Sequence, residues 1–314
     1  MRIGVFIGDA GGESTGVAAL VANARDAEAR GLATGWVPHI PWSLDALTAL
    51  TLAGPATERV ELGTAVIPTY SRHPLGMAQQ VLSTQAACSG RLTLGIGPSH
   101  PVVVENMYGL SYDKPVRHTR EYLDVLDAAF ACTGQVDHHG ELFRVHAMLN
   151  VPDASPVPVL IAALAPLMLA LAGSRTEGTI TWMADERALG EHVLPRITEA
   201  AADAGRPAPR VVIGLPVAVC DDAAAGRERA AHAFSVYEHI PTYPRILDRG
   251  DAAGPADVVA VGTEAEVTER LRSYRDAGAT DLAASVFSVG ADEAERARSR
   301  ERTLDLLTSL ASGF

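Results

Sequence analysis

Leu62-Gly63-Thr64-Ala65-Val66-Ile67-Pro68-Thr69-Tyr70-Ser71-Arg72-His73-Pro74 runs from an apolar stretch through a proline-broken exit into a dense polar cluster. The apolar part, Val60–Ile67, does not alternate with polar residues, which is the mark of a parallel strand covered on both faces. Pro74 has no N–H to waste at a first helical turn and starts a helix there. The stretch therefore reads as one strand-to-helix unit with its polar residues at the strand's C-terminal end.

The same unit recurs outward in both directions. Upstream lie candidate strands Arg2–Ile7 and Thr34–Val37, and downstream Leu92–Gly97, Pro158–Ala162, Gly178–Met183, Arg210–Val219 and Asp281–Phe287. Helical spacing separates them. Val17, Leu20, Val21 and Ala24 fall at i, i+3, i+4 and i+7 and stop near Gly31. Leu189, Val193 and Ile197 step by four, Thr263-Glu264-Ala265-Glu266 is a capping box ahead of Val267, Leu271 and Tyr274, and Leu304, Leu307 and Leu310 mark a last helix. Eight strands alternating with helices favour a closed (β/α)8 TIM barrel over a doubly wound sheet, as a single domain over residues 1–314. Three long connections stand out: 98–116 after strand 4, 134–156 before strand 5, and 240–261. The second, with Gly134, Gly140 and Pro152, has the composition of a small hairpin.

Composition narrows the function. Net charge is −12 and Lys114 is the sole lysine, so the chain would repel a polyphosphate backbone and nucleic acid is an unfavoured partner. No apolar stretch reaches the roughly 18 residues of a membrane span. Met1–Asp9 meets charge too early for a secretory signal. Cys88, Cys132 and Cys220 stand alone, which indicates neither a zinc cluster nor a disulfide frame and points to the cytoplasm.

In a β/α barrel the chemistry sits at the C-terminal ends of the strands. After strand 1, Gly8-Asp9-Ala10-Gly11-Gly12 is either a rim against a ligand or a glycine turn. After strand 2, His39 could donate a proton, hydrogen-bond a cofactor or be structural, and Trp42 could wall a pocket or cap the core. Arg72 and His73 could receive an anion, or Arg72 could pair with a carboxylate. Gly95 and Gly97 would let a ligand approach the backbone, next to Ser99 and His100, but a bare GxG lacks the rest of a dinucleotide fingerprint. Ala163 and Leu164 lead to a helix start able to receive phosphate. Trp182 packs on a cofactor or fills the barrel mouth. Asp9, His39, His73 and His100 also suit zinc, which keeps a metal-dependent hydrolase open, although no HxH pair accompanies them. The lack of an obvious acid or base keeps a non-catalytic cofactor-binding protein open as well.

The strand 3 run, followed by Gly90-Arg91-Leu92-Thr93-Leu94-Gly95-Ile96-Gly97, resembles the luciferase-like monooxygenase superfamily. Arg117–Leu126 and Gly178-Thr179-Ile180-Thr181-Trp182 are similar to its helix after the first insertion and its sixth strand. The likeness spans essentially the whole chain and points to the branch that uses the deazaflavin coenzyme F420. It implies a hydride-transferring oxidoreductase, with an FMN-dependent monooxygenase as the alternative. It implies a non-prolyl cis peptide at Ala65–Val66 backing the ring, with Thr64, Thr69 and Trp182 beside it, and the phosphate end near Gly97, Ser99, Ala163 and Leu164. His39 becomes the candidate catalytic residue, Asp9, Trp42 and His100 the substrate pocket, and no metal is expected. Relatives carry Asp-His at the strand 2 end where this chain has His39-Ile40, so neither acid-base role nor substrate can be inherited. The family also implies a homodimer, for which Leu44–Ala53 and Gly76–Ala87 offer a face rich in alanine and leucine.

Overall fold

The computed structural model describes residues 1–9 and 14–313. Ala10, Gly11 and Gly12 of the expected glycine rim lie outside the described residues. In chain order the strands are β1 (Arg2–Phe6), β2 (Thr34–Val37), β3 (Glu61–Thr64), β4 (Ile67–Pro68), β5 (Leu92–Gly97), β6 (Gln135–His139), β7 (Arg144–Met148), β8 (Val159–Ala162), β9 (Gly178–Trp182), β10 (Arg210–Val219), β11 (Ala260–Gly262) and β12 (Asp281–Val286). The parallel order β1-β2-β3-β5-β8-β9-β10-β12 closes when β12 pairs back onto β1 through Arg2↔Asp281 and Ile3↔Leu282. This is the expected eight-stranded (β/α) barrel.

The helices that jacket it are α1 (Val17–Ala29), α2 (Ala46–Ala53), α3 (Pro74–Ala87), α4 (Pro101–Asn106), α5 (Pro115–Phe130), α6 (Pro166–Arg175), α7 (Glu186–Ala188), α8 (Leu194–Asp203), α9 (Ala223–Phe234), α10 (Thr242–Leu247), α11 (Pro255–Val258), α12 (Glu264–Asp276) and α13 (Glu293–Ala311). Each turns an apolar stripe inward, such as Leu20, Ala24 and Ala27 of α1. The capping box forms at Thr263 and Glu266, and Pro74 starts α3. The connection 134–156 forms the antiparallel hairpin β6–β7. Connection 98–116 carries α4, and 240–261 carries α10 and α11.

Two predicted elements are built differently. The single strand Val60–Ile67 is broken, and the register shows why. β3 pairs Gly63 with Thr93, and β4 pairs Ile67 with Ile96. Three residues, Thr64 to Val66, thus stand against two, Leu94 and Gly95, so one extra residue bulges out of the ladder. The helix with the four-residue steps Leu189, Val193, Ile197 contains a π-helical turn at Leu189–Val193 between α7 and α8, which swings His192 toward the β8 exit.

The N-terminal end of the barrel is sealed by charge. Arg2, Glu61, Arg210 and Asp281 are the first residues of β1, β3, β10 and β12. Arg210 bonds Glu61 at 2.9 Å and Asp281 at 2.7 Å, and Arg2 bonds the same two at 2.6 and 3.2 Å. The Thr93 and Thr280 hydroxyls complete the two carboxylates, each at 2.7 Å. Burial pushes the Glu61 carboxyl up, but Arg210, the Thr93 hydroxyl and Arg2 outweigh it and hold it below its usual range.

Candidate active site

Phe6, Trp36, Leu160, Ile180, Val212 and Ala283 meet inside the barrel as one buried layer, and Ala65, Val66, Ala162 and Trp182 sit on it half-buried. These four are therefore an apolar floor open toward the C-terminal mouth. Ala65 and Val66 are the bulged residues, and the peptide between them is cis and non-prolyl, as the resemblance implies.

The residues around the bulge exist to hold it. The Thr64 hydroxyl donates to the Gly95 carbonyl and accepts from the Gly95 N–H, both at 2.8 Å. A Cβ on Gly95 would lie 2.1 Å from the Thr64 carbonyl oxygen, and one on Gly97 would lie 3.0 Å from Val66. The two glycines thus make room for the bulge. Thr64 and Thr69 are fully buried. Thr69 donates its N–H to Gly97 at 2.9 Å, while its hydroxyl has no partner. Neither threonine side chain opens on the mouth.

At the β2 exit, His39 accepts from the Ala46 N–H through Nδ1 at 3.4 Å, at the start of α2. A neutral ring with Nδ1 accepting carries its proton on Nε2, which makes that atom a donor. Burial, then the Arg72 guanidinium, lower the His39 pKa against the pull of Asp45, so the neutral form prevails at pH 7. Arg72 pairs with Asp45, which also caps α2 through Thr48 N–H at 2.9 Å. Arg72 is thereby committed to a carboxylate, and His73 caps α3 through Leu75 N–H at 3.3 Å. Trp42 stands 72% exposed beside this loop. Asp9 is spent on the Thr15 N–H at 2.6 Å and on the Ser43 hydroxyl, so it ties the β1 and β2 exits together. Among the described residues no group of three or more His, Cys, Asp or Glu is arranged to hold a metal.

The β5 and β9 exits share a backbone feature. Ser99 and Met183 take positive φ of 62° and 57°, a region rarely adopted by residues other than glycine. Ser99 lies half-buried with its carbonyl accepting from Tyr112 OH at 3.2 Å. At the β8 exit Ala163 is buried, and the Leu164 carbonyl lies 2.8 Å from His192 Nε2. α6 begins just beyond, with no side chain capping it. Gly97, Ser99, Ala163 and Leu164 thus sit on neighbouring exits, because β5 pairs with β8.

One part of the mouth carries no signal among the single residues picked from the sequence. After α9 the chain runs through Ser235–His239 and α10 and arches across the opening. At one foot Tyr243 OH meets His100 Nε2 at 3.4 Å, at the β5 exit. At the other, Asp185 at the β9 exit accepts from Asp251 and Ala252 N–H at 2.6 and 2.9 Å. Underneath, Trp182 meets Phe6, Phe234 and Tyr237 edge-on, with ring centroids 6.1, 6.3 and 5.7 Å away. The aromatic density of Phe234, Tyr237 and Tyr243 in a connection between elements was the available clue.

A large surface depression of about 270 Å³, lined by Asp127, Arg175, Glu177 and Arg206 among others, lies at the opposite end, by the starts of β8 and β9. Its arginines are paired with Asp124, Asp127 and Glu177, and it is remote from every strand exit.

The sequence profile described as luciferase-like monooxygenase matches residues 1–281. Rv3520c of Mycobacterium tuberculosis, provisionally named a coenzyme F420-dependent oxidoreductase, is 32% identical over 192 residues, 57% of this chain; the match spans only 54% of that relative's length. The F420-dependent glucose-6-phosphate dehydrogenase of Nocardia farcinica is 26% identical over 265 residues, 78% of this chain and 77% of the relative. An F420-dependent secondary alcohol dehydrogenase, solved with an F420-acetone adduct, shares the fold with a TM-score of 0.79 over 98% of this chain and 97% of its own, at 18% identity. No helix among the described residues is long and apolar enough to cross a membrane.

Proposed function

The chain belongs to the luciferase-like monooxygenase family, and on that premise we propose that it is a coenzyme F420-dependent oxidoreductase, moving a hydride between the deazaflavin and a small organic substrate. The observation that carries this reading is the half-exposed Ala65–Val66 bulge on an apolar floor facing the mouth. A flat, rigid ring lies well on such a surface, and Trp182 borders it. A bound deazaflavin supplies the ring carbon that gives or takes the hydride, and the protein supplies position and dryness.

Ala65, Val66 and Trp182 would hold the ring, with Thr64 and Thr69 shaping the bulge beneath it. Gly97, Ser99, Ala163 and Leu164 would take the phosphate end, where the uncapped start of α6 offers backbone N–H groups. His39 is the proposed catalytic residue. Its Nε2–H is a donor held in one orientation by α2, able to bond an oxygen of the ring or of the substrate. Asp9 sets the rim, and Trp42 and His100 border the substrate.

The unit is proposed to act as one domain in the cytoplasm and as a homodimer. The outward faces of α2 and α3, with Thr48, Leu52, Gln79 and Ser83 exposed, are free of charge over two adjacent helices and suit a two-fold contact. Light scattering of the purified protein should return twice the 33.0 kDa chain mass.

The test is to titrate the purified protein with F420 and with FMN, following cofactor fluorescence, and then to reduce the complex without oxygen. F420 binding with oxygen-independent turnover is expected. Tight binding of FMN alone would overturn F420 in favour of the flavin monooxygenase, and binding of neither would overturn both.

A further inference from the structure

We propose that the mouth selects a flat, uncharged, mainly apolar substrate carrying one hydrogen-bonding oxygen, such as an aromatic ketone or its alcohol, and that Tyr237 and Tyr243 of the arch read it. The proposal rests on the oxidoreductase reading above and adds the substrate class.

The first argument is the chemistry of the walls. The end of α9 and the arch bring Phe234, Tyr237 and Tyr243 together beside Trp182. Tyr237 meets Tyr243 edge-on at 4.9 Å, and Phe234 meets Phe287, from the β12 exit, at 5.7 Å. Trp182 closes the set from the β9 exit. Edge-to-face rings offer alternating faces and edges that a flat apolar molecule can join with little loss of side-chain freedom. Trp182 and Tyr237 are the half-buried members, so their rings still meet the open side.

The second argument is what the walls lack. Three of the arginines near the exits are committed. Arg72 pairs with Asp45, Arg187 with Glu191 and Asp251, and Arg229 donates to the Ser288 carbonyl at 2.9 Å. Arg245 and Arg249 of the arch are exposed to solvent. A phosphate or carboxylate entering the aromatic set would lose water and meet none of these three charges unpaired.

The third argument is the polar handle. Tyr243 is 8% exposed and its hydroxyl has one contact, the 3.4 Å approach to His100 Nε2. His100 Nδ1 is enclosed and has no partner. With His100 Nε2–H donating to the Tyr243 oxygen, the Tyr243 O–H is left, in an apolar surround, to bond one carbonyl or hydroxyl oxygen.

The experiment uses 1-tetralone, tetralin (the same skeleton without oxygen) and glucose 6-phosphate, titrated by calorimetry into the full-length protein with and without F420. Binding of 1-tetralone and tetralin but not glucose 6-phosphate is expected. Tyr243→Phe should weaken 1-tetralone about tenfold and leave tetralin unchanged, the loss of one hydrogen bond. Tyr237→Ala should weaken both. Preference for glucose 6-phosphate, or an unchanged ratio of 1-tetralone to tetralin in Tyr243→Phe, would overturn the proposal. So would F420 binding without 1-tetralone binding, which leaves the cofactor reading intact. Binding of 1-tetralone with neither F420 nor FMN bound would sustain the substrate class and sink the cofactor reading.

Discussion

The two ends of the barrel treat polar atoms in opposite ways. At the N-terminal end, the carboxylates of Glu61 and Asp281 meet two guanidiniums and two hydroxyls, and each charge finds an opposite one. At the C-terminal end, His100 Nδ1 has no partner, and rings rather than charges line the opening. Satisfied polar groups hold a structure together, whereas enclosed unsatisfied ones are tolerated where something else is to bind. The closed charge network marks the stabilising end, and the aromatic lining marks the proposed working end.

The largest effect should come from breaking the sealed end. Arg210→Ala leaves the nearly buried Asp281 with Arg2 as its one counter-charge among the ion pairs of this network, and we expect a loss of about 3 kcal/mol, the low end for breaking a buried pair because Arg210 is 23% exposed. Urea unfolding measures it, and cofactor affinity of the folded fraction should not move. The same network sets an acid limit. Because the folded Glu61 pKa lies below its ordinary 4.5, its contribution is fully present above pH 4.5 and is lost as pH falls through the lower folded value. Glu61→Gln should flatten that part of the urea-midpoint profile, and an unchanged slope would remove Glu61 from the account.

Next comes the bulge, which is held against β5. Gly95→Val places a side chain 2.1 Å from the Thr64 carbonyl, and overpacking of this kind costs about 1–3 kcal/mol. Unlike Arg210→Ala, it should abolish ring binding even in the folded fraction. Retained cofactor affinity would show that the bulge is not the ring's support.

A smaller, local effect is expected at the arch. Asp185→Ala removes the acceptor for three backbone N–H groups, those of Ala188, Asp251 and Ala252. Hydrogen exchange should quicken around residues 248–254 with the barrel strands unchanged. Uniform quickening would mean that the arch and barrel open as one unit. The smallest effect belongs to Trp42→Ala, within about 0.5 kcal/mol because the ring is mostly exposed.

The barrel was legible because buried parallel strands leave continuous apolar runs, and Leu92–Gly97 and Arg210–Val219 have the bounds expected of them. The bulge was legible only as a family likeness, since its cause is a register shift against β5. The bond by which Thr64 and Gly95 hold the bulge escaped for the same reason, since the two lie 31 positions apart. The sealed end escaped notice because Arg2, Glu61, Arg210 and Asp281 look like ordinary polar residues at strand starts. The arch escaped because Tyr243 meets His100 across 143 positions, and no local periodicity records such a contact.

The arch also bears on how this scaffold can be altered. Residues 235–254 contribute no strand to the barrel. The segment is fastened by Tyr243 to His100, by two backbone N–H groups to Asp185, where Gly250 leaves room for the carboxylate, and by Ile246 and Leu247 buried in the core. It is in effect a cassette between two sockets. Exchanging it for a segment of equal span, with glycine and tyrosine kept at the feet and the apolar pair Ile246 and Leu247 kept in the core, should rewrite what the mouth touches while the eight barrel strands keep their register.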